Sequence, residues 1–300
     1  MGFLVDQLRA KVREHYLAKL PSDQAATLAN RTLDDVLVVY GTWRSRFVAA
    51  RLRKAHLSRE LQSSQKYAQH RMVLDEIVRH IEAGDDLAPY ISTGISVAHD
   101  EGGARKKPGS RRDRDLLVAD WGIHHLHLST KSGPRGFKER TSDLLLVVFT
   151  ADDAYIIGIY PHGSWALLEL LEIYVRNWPD AGTLAQSRYA IGLSQKYSDT
   201  DRFELRSAGV SGPVEIDGRV YVPPGQMTSG DPLRVVIKAD NFMLRLRELE
   251  EVDDLTLVER LNEEARGTQS DGEWEPLVTN AGFGFVSNGV FLRVGAIPWE

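Results

Sequence analysis

The stretch IHHLHLSTKSGPRGFKERTSDLLLVVFTADDAYIIGIYPHGS, residues 123–164, decides the reading of this 300-residue chain. Three short runs within it are strand-like: His124–Ser129, Asp143–Thr150 and Tyr155–His162. The second and third are apolar at nearly every position, the pattern of strands covered on both faces. Ala151-Asp152-Asp153-Ala154 between them makes a tight hairpin connection. The three runs predict an antiparallel meander. Ser164 is the expected N-cap of a following helix over Trp165–Trp178, which Pro179 ends.

N-terminal to this stretch the period is helical. Phe3, Leu4, Leu8, Val12, Tyr16 and Leu20 recur at spacings of three and four. Pro21 interrupts, Ser22 caps a new start, and Thr32 precedes a buried stripe of Leu33, Val36, Val38, Val39 and Tyr40. Residues 66–83 form the clearest amphipathic helix, closed by Gly84, with His70 and His80 as surface or cap residues. Glu101–Arg112, rich in Gly and basic residues and without period, is a loop or linker. C-terminal to the stretch, Val214–Val222 is a hairpin around Asp217-Gly218. Leu233–Lys238 reads as a strand leading into a helix at Asn241–Glu251, and a second helix covers Leu255–Ala265. Asn288-Gly289 joins Phe283–Val286 to Val290–Val294 in a further hairpin. The expected fold class is α+β. A helical N-terminal region (1–100) is followed by a central antiparallel sheet with its helix (113–182) and an α+β C-terminal region (183–300).

Composition narrows the function. The chain has no Cys, which removes disulfides, thiolate metal sites and cysteine nucleophiles. Asp6, Gln7 and Arg9 break the apolar start, and no apolar run approaches the ~20 residues that span a bilayer. Asp6 also stands where myristoylation asks for Ser or Thr. A soluble cytoplasmic protein without membrane association is the expectation. No nucleophile elbow, Walker motif or dinucleotide fingerprint is present.

Net charge is −5, yet Gly103–Arg140 carries ten cationic residues against four acidic ones. That segment is +6 and the remainder −11, so a cationic surface suited to phosphate sits on an otherwise acidic chain. Four of the nine histidines, His124, His125, His127 and His162, fall within the deciding stretch. Strand alternation puts His125 and His127 on one face and His124 on the other. If Phe149 pairs with Ile156, His162 lies opposite Asp143; it shares a face with His127 if His127 pairs with Leu145. Two near-neutral imidazoles suit general acid–base work on a phosphodiester attacked by an internal hydroxyl, which needs a cation but no metal. His127 and His162 are the expected catalytic pair. Lys131, Arg135, Lys138, Arg140 and the Ser164 helix end are the expected phosphate holders. No cofactor or metal is expected. The competing use of the cluster is a metal site of His125, His127 and His162 with Asp120 as an oxygen ligand. A third reading has the histidines as hydrogen-bonded structural residues beside Trp121.

Two resemblances follow. His127-Leu-Ser129 and His162-Gly-Ser164 have the His-x-Ser form of the two-histidine phosphoesterases. The order of helices, then HHLHLST, DLLLVVFT and YIIGIYPHG, resembles the core of small RelE-like and barnase-like RNase toxins over residues 66–178. That resemblance implies basic and His residues on the sheet facing an RNA phosphate. The expected function is therefore a metal-independent ribonuclease or phosphodiesterase, acting as a toxin or defence effector. Its partners would be RNA or another phosphodiester and a protein such as an antitoxin. The alternative is a non-catalytic regulatory or scaffold protein that binds nucleic acid or a protein through the basic loop.

Overall fold

The structure is a computed structural model that describes residues 2–91, 115–265 and 273–299. Its helices are α1 (Phe3–Lys19), α2 (Ser22–Thr27), α3 (Leu33–Arg44), α4 (Arg59–Gln62), α5 (Gln65–Gln69), α6 (Arg71–Ala83), α7 (Leu116–Trp121), α8 (Leu168–Asn177), α9 (Asp199–Ser207), α10 (Leu233–Glu250) and α11 (Asp254–Glu264). Its strands are β1 (Lys54–Leu57), β2 (Ile123–His127), β3 (Asp143–Phe149), β4 (Asp153–Pro161), β5 (Ala185–Gln186), β6 (Val214–Ile216), β7 (Arg219–Val222), β8 (Glu275–Thr279), β9 (Gly282–Ser287) and β10 (Val290–Gly295). The fold is α+β. Among the described residues no helix is long and apolar enough to cross a membrane.

The chain forms two compact units, and these cut across the three sequence-based regions. One unit combines residues 1–44 with 235–300; the other is 45–234. In the first, the buried stripes of α1 and α3 pack with α10 and α11 against Phe283 and Phe285 of the three-stranded sheet β10-β9-β8. Local pattern cannot reveal this union, because the two ends meet through residues far apart along the chain: buried apolar side chains, the Arg9–Glu250 ion pair and the Phe3 N–H that donates to Asp254 Oδ2. Leu233–Lys238, expected as a strand, is instead the beginning of α10. Its β-branched residues mimic a strand. The buried set Val235, Ala239, Phe242, Met243 and Leu246 keeps helical spacing across the whole element, and that burial prevails over local propensity.

The second unit carries the candidate site. Its four-stranded sheet has the order β1-β4-β3-β2, so the two most apolar strands are central, as their composition implies. In β3, Leu145 and Val147 enter the core under α6, while Leu144, Leu146 and Val148 enter the core under α8. Thr150 closes the β3–β4 turn by accepting from the Asp153 N–H at 3.0 Å. β1 pairs in parallel with β4, a strand that the sequence pattern does not reveal. It has four residues and no clean alternation, and its partner begins 99 residues later, at Asp153. The expected helix over 66–83 is two helices broken at His70, whose φ of −105° and ψ of 12° leave helical geometry. Gly84 ends α6 at φ 75°, the left-handed conformation that glycine adopts most cheaply.

One irregularity controls the face of His162. β3 pairs Val147 with Ile156 but Leu146 with Gly158, so Ile157 is an extra residue in β4. This bulge reverses the alternation of β4 from Gly158 onward. A side chain cannot easily stand at Gly158, since a Cβ there would lie 2.6 Å from the Tyr160 ring.

Leu146 lies at the crossing of these constraints, opposite both His125 and Gly158, and is 1% exposed. Leu146→Ala is expected to cost about 2–5 kcal/mol in urea denaturation, with an unchanged m-value.

Candidate active site

The site is assembled at one end of the central sheet, on the α8 face. β2 pairs antiparallel with β3 in the register His125↔Leu146 and His127↔Leu144, and Leu144 in turn faces Tyr160. The observed pairing is therefore one residue from the His127–Leu145 alignment on which a shared face was conditional. The β3–β4 register also differs, with Phe149 opposite Ala154 and Asp143 opposite Pro161. The bulge compensates. His162, two residues beyond Tyr160, returns to the face of His125 and His127, and its backbone N–H donates to Ser142 O at 3.1 Å.

Four rings result. The His127 and His162 centroids are 5.8 Å apart, and those of His125 and His127 6.4 Å. Trp165 meets His125 at 5.3 Å and His162 at 5.6 Å. The cluster is graded in depth: His162 is exposed, His125 and Trp165 are half-buried, and His127 is 1% exposed. His124 faces the other way, edge-on to Phe149, with its Nε2 3.3 Å from Ser45 O.

Depth and neighbours set the charges. Burial pushes His127 down to about 4, helped by the charges of His125, Arg140 and His162. Its Nδ1 accepts from the Thr141 N–H at 3.3 Å, so the neutral ring carries its proton on Nε2, which is buried without a partner. His162, exposed but with part of its ring shielded from water, is also lowered, first by that partial desolvation and then by Arg140 and His125, although a hydrogen bond to the Thr141 backbone opposes this. His125 goes the other way. Burial works against its charge, but Asp115, with Oδ2 3.0 Å from Nδ1, outweighs it and raises the pKa. Asp115 is likewise held below its usual range: burial opposes ionisation, and His125 and the Val118 N–H overcome it. This carboxylate is fixed as the N-cap of α7.

The expected phosphate holders divide. Arg140 is exposed and close enough to bear on His125, His127 and His162. Lys131 and Arg135 are exposed on the same loop, Arg135 at its tip with φ 58°. Lys138 is committed elsewhere: its Nζ donates to Glu76 Oε1 at 3.3 Å and to Thr130 O at 3.2 Å, and lies over the Tyr90 ring. Ser164 is not a helix cap. α8 begins at Leu168 after Leu167, and the Leu168 N–H donates to Asp199 Oδ1 at 3.0 Å. A carboxylate already occupies the positive helix end that the sequence assigns to a phosphate. The reason is the turn at 165–166, which delays the helix past the serine. The basic residues Arg105–Arg114 lie outside the described residues.

Asp120 is no ligand in waiting either. It is buried and accepts from Arg206 Nε at 2.8 Å and from the Ser211 hydroxyl, while the Arg206 guanidinium lies 4.0 Å from the Trp121 ring centroid. Among the described residues no group of three His, Asp or Glu side chains is arranged to hold a metal ion. Sequence reasoning missed Asp115 and Trp165 as members of the site. Asp115 stands as an N-cap before an apolar run, a pattern readable in the sequence; its partner across the fold was not.

The buried histidines make stability depend on pH. His124 and His127 titrate near 4 when folded and near 6.5 when unfolded. Between those values the unfolded chain binds protons that the folded chain does not. Their contribution is therefore complete above 6.5 and is lost as pH falls toward 4. In urea denaturation from pH 4 to 7, His124→Asn should remove about one proton from the slope, ~1.4 kcal/mol per pH unit. An unchanged slope would mean that His124 charges freely in the folded state. Compared with known proteins, the chain matches no family model, no curated protein and no solved structure.

Proposed function

We propose that this chain cleaves phosphodiesters without a metal, through attack by a neighbouring hydroxyl, with His162 as base and His125 as acid. One observation carries the reading: within one cluster, His125 has the Asp115 carboxylate 3.0 Å from its Nδ1, while His162 is exposed and has the Arg140 cation bearing on it, so their pKa values are driven in opposite directions. Such a split assigns the proton acceptor and the proton donor. His162 is exposed and kept neutral, ready to take the hydroxyl proton. His125 is shifted toward its charged form by Asp115 and is the group that protonates the leaving oxygen. As the new P–O bond forms and the old one breaks, His162 gains a proton and His125 gives one up. Arg140 supplies the cation for the charge that develops on phosphorus oxygens. Lys131 and Arg135 draw the polyanion toward the loop.

The pair expected from sequence is His127 and His162. His127 is better suited to holding its neighbours in place, because its only free nitrogen has no accessible surface. A general acid or base must come within hydrogen-bond reach of the proton it moves.

The test is a cleavage assay on RNA with and without EDTA, followed as kcat/KM against pH. The rate should survive EDTA. The profile should be a bell whose acid limb lies below the ordinary imidazole value and whose alkaline limb lies above it. Asp115→Asn should move the alkaline limb to lower pH, since it removes the charge that keeps His125 protonated. His125→Ala and His162→Ala should each lose about 10²–10⁴ in rate. Loss of activity with EDTA, or full activity in both alanine variants, would sink the mechanism.

A further inference from the structure

Trp165 touches the rings of both His125 and His162, with centroid separations of 5.3 and 5.6 Å. Neither imidazole lies flat on it: the interplanar angles are 53° and 84°. The indole packs at one side against the core under α8 and remains half-buried, so it is anchored but not enclosed. The other large aromatic group of this unit, Tyr155, Tyr174 and Trp178, is a mutual packing cluster whose imidazole neighbour is His56, stacked on Tyr155 at 5.2 Å. Trp165 alone among these aromatic side chains stands beside the proton-transfer pair.

We infer that Trp165 is a stacking platform for a nucleobase next to the scissile phosphate, and that the substrate class is single-stranded RNA. The inference rests on the catalytic reading above for the position of the phosphate. A group reacting between His125 and His162 lies within one sugar of the indole. In a nucleotide the base is separated from the phosphate by a single sugar, and every base has a π-face to offer an aromatic ring. A base in a duplex is already stacked on its neighbours, so the platform selects unpaired strands. The attacking hydroxyl selects ribose over deoxyribose. Arg140, on the loop beside the rings, and the exposed Lys131 and Arg135 supply the cationic track for the backbone.

Two fluorescein-labelled six-nucleotide strands separate the possibilities, one with bases and one with abasic ribose at every position. Binding is measured by anisotropy on 2′-O-methyl versions, which lack the attacking hydroxyl and are not cut. Cleavage is measured on the RNA versions. The intact chain should prefer the base-bearing strand on the order of tenfold. Trp165→Leu, which keeps apolar bulk against the core, should reduce that preference to about twofold or less. Trp165→Phe, which keeps a π-face, should retain most of it. An intact chain without preference, binding to neither strand, or a preference that survives in Trp165→Leu overturns the platform. If Trp165→Leu does not fold, irradiation of a 4-thiouridine strand on the intact chain decides instead: a cross-link at Trp165 supports the platform, and cross-links only elsewhere overturn it. Preference in binding with no cleavage of either strand overturns the catalytic reading and leaves the platform standing. Equal binding and equal cleavage of both strands do the reverse.

Discussion

Ile157 is one residue more than β4 needs to match β3, and the arrangement of the site depends on it. Before the bulge the odd-numbered residue Tyr155 turns toward α8, and after it the even-numbered Tyr160 does so. Without that change His162 would leave the sheet on the α6 face, one sheet thickness from His125 and His127. The insertion is held by packing on both sides: Ile156 is buried under α6 and Ile157 under α8. Neither can slip without exposing an isoleucine. A small backbone irregularity is thus made rigid by two apolar cores, and it brings together rings from strands that are not neighbours.

The chemistry of the rings then follows from depth. The three imidazoles on this face have the same intrinsic pKa, and they diverge because water reaches them unequally and because one has a carboxylate at hand. α7 is the element that supplies this carboxylate. It is only six residues long, and each end is tied by an acid: Asp115 caps its start and pairs with His125, while Asp120 near its end accepts from Arg206 and Ser211. The helix is further anchored by Leu117 and Trp121 in the core under α8. The acid beside His125 is therefore fixed by the cap it makes to the Val118 N–H as well as by the ring it pairs with.

The basic loop shows how far charge counting carries. Four cations between Thr130 and Ser142 look alike in sequence. In the fold, Lys138 neutralises Glu76 beside Tyr90, Arg140 bears on the imidazoles, and Lys131 and Arg135 remain exposed. The same holds for the helix end that the sequence offers to phosphate: Asp199, distant along the chain, already satisfies its leading N–H group.

What the sequence by itself determined was local and periodic. The unbroken apolar runs Leu144–Val148 and Ile156–Ile159 imply central, doubly covered strands, because burial on both faces demands it. Asp217-Gly218 and Asn288-Gly289 imply hairpins, because their left-handed backbone is cheap there. The alternation of β2 assigns His125 and His127 to one face and His124 to the other. Only the tertiary structure decided the rest. The Ile157 bulge and the parallel pairing of β1 depend on partners far along the chain, and so does the joining of the two ends into one unit. The split between His125 and His162 depends on Asp115, which no spacing connects to either. Periodicity reports which side of an element is buried; it carries no information about what the buried side meets, and here that meeting sets each ring's charge.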